Sequence, residues 1–191
     1  MSSYQIAPIP SPPSSSQVEQ YKSFRLLSLE LDPGSFSSKY ADEVKFTDEQ
    51  WQERLSGFGG RKVTIAATTT EGNWVGMITV LSPQFIDFTY YIPSQVKAMR
   101  SVEEMYIVVG MWVHPEHRRK GLGGRLVKQA AEWAKDREME KDSGTKKAAL
   151  LLEVLLTNND AIALYSKTGF VKIETEEIKT EGCQFMYLDI A

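Results

Sequence analysis

Cysteine occurs once, at Cys183, and histidine twice, at His114 and His117. One cysteine excludes an intrachain disulfide, and so thin a Cys/His supply argues against a structural zinc site, so no metal is assigned. The chain suits a reducing, intracellular compartment. Positive charge is not in excess: Lys plus Arg total 22 against 25 Asp plus Glu, a formal net charge of −3, which speaks against a general nucleic-acid binder. No apolar run approaches the roughly 20 residues of a membrane span, so no membrane partner is expected. The first twenty residues have neither the basic start and apolar core of a secretory signal nor the Arg-rich pattern of a transit peptide. The expected location is cytoplasmic, with the nucleus not excluded.

What is present is an ordinary globular composition. With 191 residues, 42% hydrophobic and 25% charged, the chain can bury a core without covalent or metal staples. Residues 1–20 are rich in Ser and Pro and predict a flexible tail, which leaves 21–191 as one folded domain. Phe24 to Leu29 reads as a first strand, stopped by Asp32-Pro33-Gly34. Ser35 to Leu55 predicts one or two helices, with Thr47 and Gln50 forming a capping box. Lys62 to Thr70 and Trp74 to Leu81 predict a hairpin around Glu71-Gly72-Asn73. Ser82 to Ser101 is a long aromatic-bearing insertion whose role the sequence does not give. Met105 to Val113 predicts a central strand buried on both faces. Leu122, Leu126, Val127, Ala130, Trp133 and Ala134 mark one face of a helix, with the polar Lys135 to Thr145 segment ending it near Gly144. Ala148 to Leu156, a short helix over Asn158 to Thr168, and strands over Phe170 to Ile178 and Gln184 to Ile190 complete a mixed α/β domain.

The chemistry concentrates where the central strand runs into His114-Pro115-Glu116-His117-Arg118-Arg119-Lys120-Gly121-Leu122-Gly123-Gly124. Glycines let the backbone approach a ligand closely. The exposed amides of the first helical turn, with the helix dipole, make an anion site, and three basic side chains add charge. A phosphate or pyrophosphate is the natural guest. The sequence lacks the P-loop pattern, and Leu126 stands where the third glycine of a dinucleotide fingerprint should be.

Arg118-x-x-Gly121-x-Gly123 resembles the Arg/Gln-x-x-Gly-x-Gly/Ala signature of the GCN5-related N-acetyltransferases. Asn158-Asn159-Asp160-Ala161-Ile162-Ala163-Leu164-Tyr165-Ser166-Lys167-Thr168-Gly169-Phe170 is similar to a second signature of that family, and Leu152-Glu153-Val154 between them is typical too. The resemblance spans about Tyr21 to Ile190. It implies a GNAT-type mixed sheet of about six to seven strands flanked by helices, with a splayed central strand pair. It also implies an N-acetyltransferase that moves the acetyl group of acetyl-CoA to a primary amine by direct attack in a ternary complex, without metal. The pyrophosphate would sit on the N–H groups of Arg119, Lys120, Gly121, Leu122, Gly123 and Gly124, with Arg118 also part of the cofactor-binding set. The pantetheine would pair with the backbone of Met111, Trp112 and Val113, and Asn158 would bond the cofactor arm, cap its helix, or do both.

Two groups are expected to do the chemistry. At its motif position Tyr165 would protonate the departing thiolate, against a reading as a packed helix tyrosine. Glu153 interrupts an apolar run, so apolar surroundings should raise its pKa and suit it as the base. Glu103, Glu104 and bound water are rivals for that role, and a purely structural Glu153 is the other reading. His114 and His117 are expected to make at most a cofactor contact, and Cys183 to serve packing. A non-catalytic acyl-CoA-binding module is the alternative function. The acceptor, whether protein N-terminus, lysine or small amine, and the oligomeric state are not given by the sequence.

Overall fold

A computed structural model describes residues 4–85, 104–139, 148–174 and 182–190. Its strands are β1 (Tyr4–Pro8), β2 (Lys62–Thr69), β3 (Trp74–Leu81), β4 (Glu104–Val113), β5 (Ala148–Leu155), β6 (Val171–Lys172) and β7 (Cys183–Asp189). The helices are α1 (Ser15–Leu31), α2 (Tyr40–Glu43), α3 (Asp48–Leu55), α4 (Leu122–Met139) and α5 (Asn159–Lys167). The strand order is β1-β2-β3-β4-β5-β7-β6, a seven-stranded mixed sheet. The chain clusters into two compact units, residues 1–79 with 110–126 and residues 80–109 with 127–191.

In the first unit β1 lies antiparallel to β2, in register from Tyr4 with Thr69 to Pro8 with Ile65. The sequence reading assigned these residues to a flexible tail, and the structure corrects it. Five residues of Pro-containing chain find backbone partners on an edge, where a missing proline N–H costs no ladder bond. The expected strand at Phe24 to Leu29 is instead the interior of α1. That helix starts at a capping box in which the Ser14 hydroxyl accepts from the Gln17 N–H and the Gln17 side chain accepts from the Ser14 N–H. Its buried residues Tyr21, Phe24, Arg25, Ser28 and Leu29 recur with helical spacing. Tyr21 and Phe24 close a core with Trp51, Leu55, Met77 and Trp112, where Tyr21 meets Trp51 edge-on and Phe24 meets Trp112 with ring centroids 4.9 Å apart. Within this core unit, Arg25 and Glu43 form a buried ion pair at 2.8 Å, and Arg54 joins the same carboxylate at 2.9 Å. The Thr47–Gln50 capping box and the β2–β3 hairpin are as expected.

In the second unit β5 pairs antiparallel with β7, from Ala149 with Asp189 to Leu155 with Cys183, and β6 pairs with β7. β4 and β5 run parallel, in register from Glu104 with Ala148 to Ile107 with Leu151, while β5 continues to Leu155, as splayed strands require. After that register ends, the β4 backbone leaves the extended region at Gly110 (φ +61°), a conformation glycine adopts without strain. β4 is not buried on both faces as expected. Tyr106, Val108 and Trp112 are buried, whereas Met105, Ile107, Met111 and Val113 are half-buried and Val109 is exposed, the alternation of a strand with one covered face. Leu151, Ile173 and Phe185 form a smaller core here, backed by Met105, Ile107 and Tyr187.

The expected face of α4 holds at Leu122, Leu126, Val127, Ala130 and Ala134, which are buried, while Trp133 is half-buried; α5 ends at Lys167, with Thr168 its C-cap before Gly169. The insertion from residue 86 onward, Glu103, the expected end of α4 near Gly144, and most of the strand expected after Lys172 lie outside the described residues. No helix among the described residues is long and apolar enough to cross a membrane.

Candidate active site

The first unit carries the turn that the sequence marks as a candidate anion site. β4 ends at Val113, the His114 N–H donates to the Val75 carbonyl at 2.9 Å, and Pro115–His117 form a single 3-10 turn. Arg119 then takes φ +60° and Gly121 φ +78°. A non-glycine residue in the left-handed region is uncommon, and such strain gathers where backbone is shaped for a ligand. Gly121 accepts the first intrahelical bond from the Arg125 N–H at 3.2 Å, so the amides of Leu122, Gly123 and Gly124 have no helical carbonyl to bond. Leu122 is buried and anchors the helix start, while Arg119, Lys120 and Gly121 are exposed. Strain, unpaired amides and exposed cations together fit a diphosphate.

Two residues that the sequence reading did not select hold this turn. Asp32, the C-cap of α1, accepts through one oxygen, Oδ2, from Trp112 Nε1 at 2.6 Å and from Arg118 Nη2 at 2.5 Å. Arg118 Nε also donates to the Val113 carbonyl at 2.9 Å. Tyr4 places its hydroxyl 2.9 Å from His117 Nδ1, its carbonyl accepts from Arg125, and its ring lies under Lys120. Asp32 was legible only as part of a turn signal, and Tyr4 belonged to the supposed tail.

The donor atoms of His114, Glu116 and His117 lie within 4.8 Å of one another, a grouping that the two-histidine count did not suggest. His114 Nδ1 already accepts from the Glu116 N–H at 3.3 Å, and three basic residues follow. Burial, then the charges of Lys120 and His114, hold the His117 pKa below its usual value.

The expected pantetheine residues sit at the end of β4. Trp112 is 5% exposed, its ring turned into the core, so what it can offer a ligand is backbone. Met111 and Val113 are half-buried.

The second unit carries the other selected residues. Tyr165 lies on α5, buried, with its ring centroid 5.4 Å from that of Phe170. Burial pushes its phenol up to about 12, so it holds its proton at neutral pH, the state a general acid needs. Asn158 is the N-cap of α5, its Oδ1 accepting from the Ala161 N–H at 3.1 Å, so the capping half of its expected role is present. Glu153 departs from expectation. It sits on β5 opposite Phe185 and is exposed, whereas its neighbours Leu152 and Val154 are buried. Its exposure shows that the apolar run around it in sequence does not enclose it. Its charge reaches Cys183, whose thiol burial and Glu153 together push up. Of the rival bases, Glu104 opens β4 opposite Ala148, and Glu103 is outside the described residues.

The family model for the acetyltransferase (GNAT) family matches residues 25–170. Among solved structures, the chain is similar to an acetyltransferase of the GNAT family from Streptococcus pneumoniae, with 22% identity, TM-score 0.66, and 98% of this chain and 99% of that one covered. It is also similar to the GNAT domain of S. lividans PAT, at 17% identity, TM-score 0.67 and coverage of 97% and 90%. A third likeness is to a spermidine N-acetyltransferase chimera from Vibrio cholerae and hSSAT, at 17% identity, TM-score 0.58 and coverage of 99% and 96%. These identities speak for the fold alone. A comparison with curated proteins finds no match.

Proposed function

Because the chain belongs to the GNAT family of acetyltransferases, we propose that it transfers the acetyl group of acetyl-CoA to a primary amine by direct attack within a ternary complex. The observation that carries the reading is the turn from Arg118 to Gly124. It joins two left-handed residues, the unpaired amides of the α4 start and the exposed cations Arg119 and Lys120 in seven residues. That combination suits the pyrophosphate of CoA better than a single phosphate. The backbone of Met111, Trp112 and Val113 would hold the pantetheine by strand-like pairing, and Asn158 would add a polar contact beyond its cap.

Acetyl-CoA supplies the activated thioester. Tyr165, kept protonated by burial, gives its proton to the sulfur as the C–S bond breaks. Glu153, exposed on β5, accepts the proton released by the attacking amine, directly or through water. The acceptor is an amine-bearing small molecule or a protein amine, used without nucleic acid or membrane, and cytoplasm is the proposed place of action.

The test is thiol release from acetyl-CoA in the presence of a peptide N-terminus, a lysine peptide and a small diamine. Release dependent on one amine class supports the enzyme. CoA binding with no release across all three classes favours the non-catalytic binding module, and no CoA binding at all removes the reading.

A further inference from the structure

We infer that Asp32 is a positioning residue for the cofactor turn, and that Arg118 serves the turn as a strut to Asp32 rather than as a direct ligand of the diphosphate. This rests on the CoA reading above.

The geometry is a closed ring of bonds. One oxygen of Asp32 accepts from the indole N–H of Trp112 and from the guanidinium of Arg118. Arg118 also donates back to the Val113 carbonyl. The two partners of Asp32 therefore bracket the stretch from the last residues of β4 to the left-handed Arg119. Fixing both ends of that stretch fixes where the unpaired amides of α4 face.

The post itself is rigid. Asp32 ends α1 with its N–H on the Ser28 carbonyl at 3.1 Å, and its own carbonyl accepts from the Ser35 N–H at 2.9 Å. Proline follows it. Trp112 is held by Phe24 on one side and meets His114 edge-on at 5.7 Å. A lone half-exposed ion pair would do little. Here the same oxygen also satisfies the indole N–H of a tryptophan that is 5% exposed, and a buried donor left without its acceptor is costly. Removing the carboxylate thus loosens both ends of the turn at once.

The same bonds decide what Arg118 does. With Nη2 on Asp32 and Nε on Val113, two of its three nitrogens are anchored on protein acceptors, which holds its guanidinium against the end of β4. Arg119 and Lys120, both exposed, are left as the cations that can meet the diphosphate.

The experiment measures CoA affinity by calorimetry in Asp32→Ala, Asp32→Asn, Arg118→Ala and the double variant Asp32→Ala/Arg118→Ala, with folding checked by circular dichroism. Asp32→Ala should weaken CoA binding about tenfold, the scale of a lost charge-assisted hydrogen bond. Asp32→Asn keeps an acceptor for Trp112 and should recover part of that loss. The double variant should bind no more weakly than Asp32→Ala alone, because Arg118 acts through Asp32. In steady state the loss should fall on KM for acetyl-CoA, with kcat changing far less. Wild-type affinity in either folded Asp32 variant overturns the role of Asp32. Losses that multiply in the double variant make Arg118 an independent ligand and overturn the strut. Should Asp32→Ala not fold, Asp32→Asn and its combination with Arg118→Ala decide by the same criteria. If the wild-type protein binds no CoA, the cofactor reading fails and this inference with it; if the wild type binds and Asp32→Asn binds equally, only this inference fails.

Discussion

Tyr4 and His117 stand 113 residues apart in sequence, yet the phenol oxygen of one lies 2.9 Å from Nδ1 of the other. Their rings meet edge-on with centroids 5.6 Å apart. The first strand is thereby tied to the turn that follows β4. Tyr4→Phe keeps the ring contact and removes the hydrogen bond, which should lower stability by about 1 kcal/mol, the usual net worth of such a bond. Deleting residues 1–8 should cost more, because it strips β2 of its partner and leaves an unpaired edge. Denaturant unfolding measures both. A deletion with wild-type stability would return the segment to the flexible tail that its Ser/Pro composition suggested.

Lys62 gives a pH test. It is buried, its ammonium donates to the Arg54 carbonyl at 2.6 Å, and it lies over the Phe58 ring at the end of α3. Burial, reinforced by the charge of Arg54, pushes its pKa down from 10.5 to about 8. Between these values the unfolded chain holds more protons than the folded one, so stability should rise with pH, and below about 8 it should be flat in this group. Tyr165 acts oppositely above about 10, as its raised phenol favours the unfolded state there, and Cys183 does the same as its thiol titrates. The clean window is therefore pH 8 to 10 in a Cys183→Ser background, with a gain of roughly 2 kcal/mol. Lys62→Met should remove the slope; a slope that survives the substitution assigns it to another group.

The parts of this fold that could be read in advance are those where local chemistry and tertiary demand agree. The α4 stripe, the Thr47–Gln50 cap and the β2–β3 hairpin carry their own periods and caps, and they stand where expected. Phe24 to Leu29 was misread because six mostly apolar residues do not distinguish a strand from the buried face of a helix. The deciding signal lay ten residues earlier, in the Ser14–Gln17 capping box. The surroundings of Glu153 were not legible either: a run of leucines does not say where along a strand the cover ends, and Glu153 is exposed between buried Leu152 and Val154. The shape of the turn from Arg118 to Gly124 was legible because glycines announce left-handed backbone, which Gly121 adopts. Asp32 and Tyr4 were not, because what they hold is 80 or more residues away in sequence.

Tyr165→Phe separates proton donation from packing. Loss of the hydroxyl leaves the buried ring against Phe170, so CoA affinity should change little. Turnover should fall about 10²-fold or more if the phenol protonates the leaving thiolate. Single-turnover measurements should place that loss on the chemical step. An unaltered rate of that step makes Tyr165 a packing residue of α5.

Glu153→Gln tests the base at an exposed position on β5. An amine nucleophile must shed a proton, and at neutral pH most of an alkylamine is already protonated. A carboxylate exposed on β5 can pass that proton to solvent, which suits a relay better than a proton store. The glutamine keeps the shape of the side chain and cannot accept the proton, so the rate at neutral pH should fall about 10²-fold. Raising the pH supplies neutral amine without help, so the gap between variant and wild type should narrow steadily toward the amine's own pKa. An acceptor with a lower pKa should show a smaller gap at every pH, which ties the effect to the amine and not to a damaged fold. A constant gap across pH and acceptors would mean that Glu153 shapes the end of β5 and takes no proton. Wild-type rates throughout would move the search to Glu104 and to bound water.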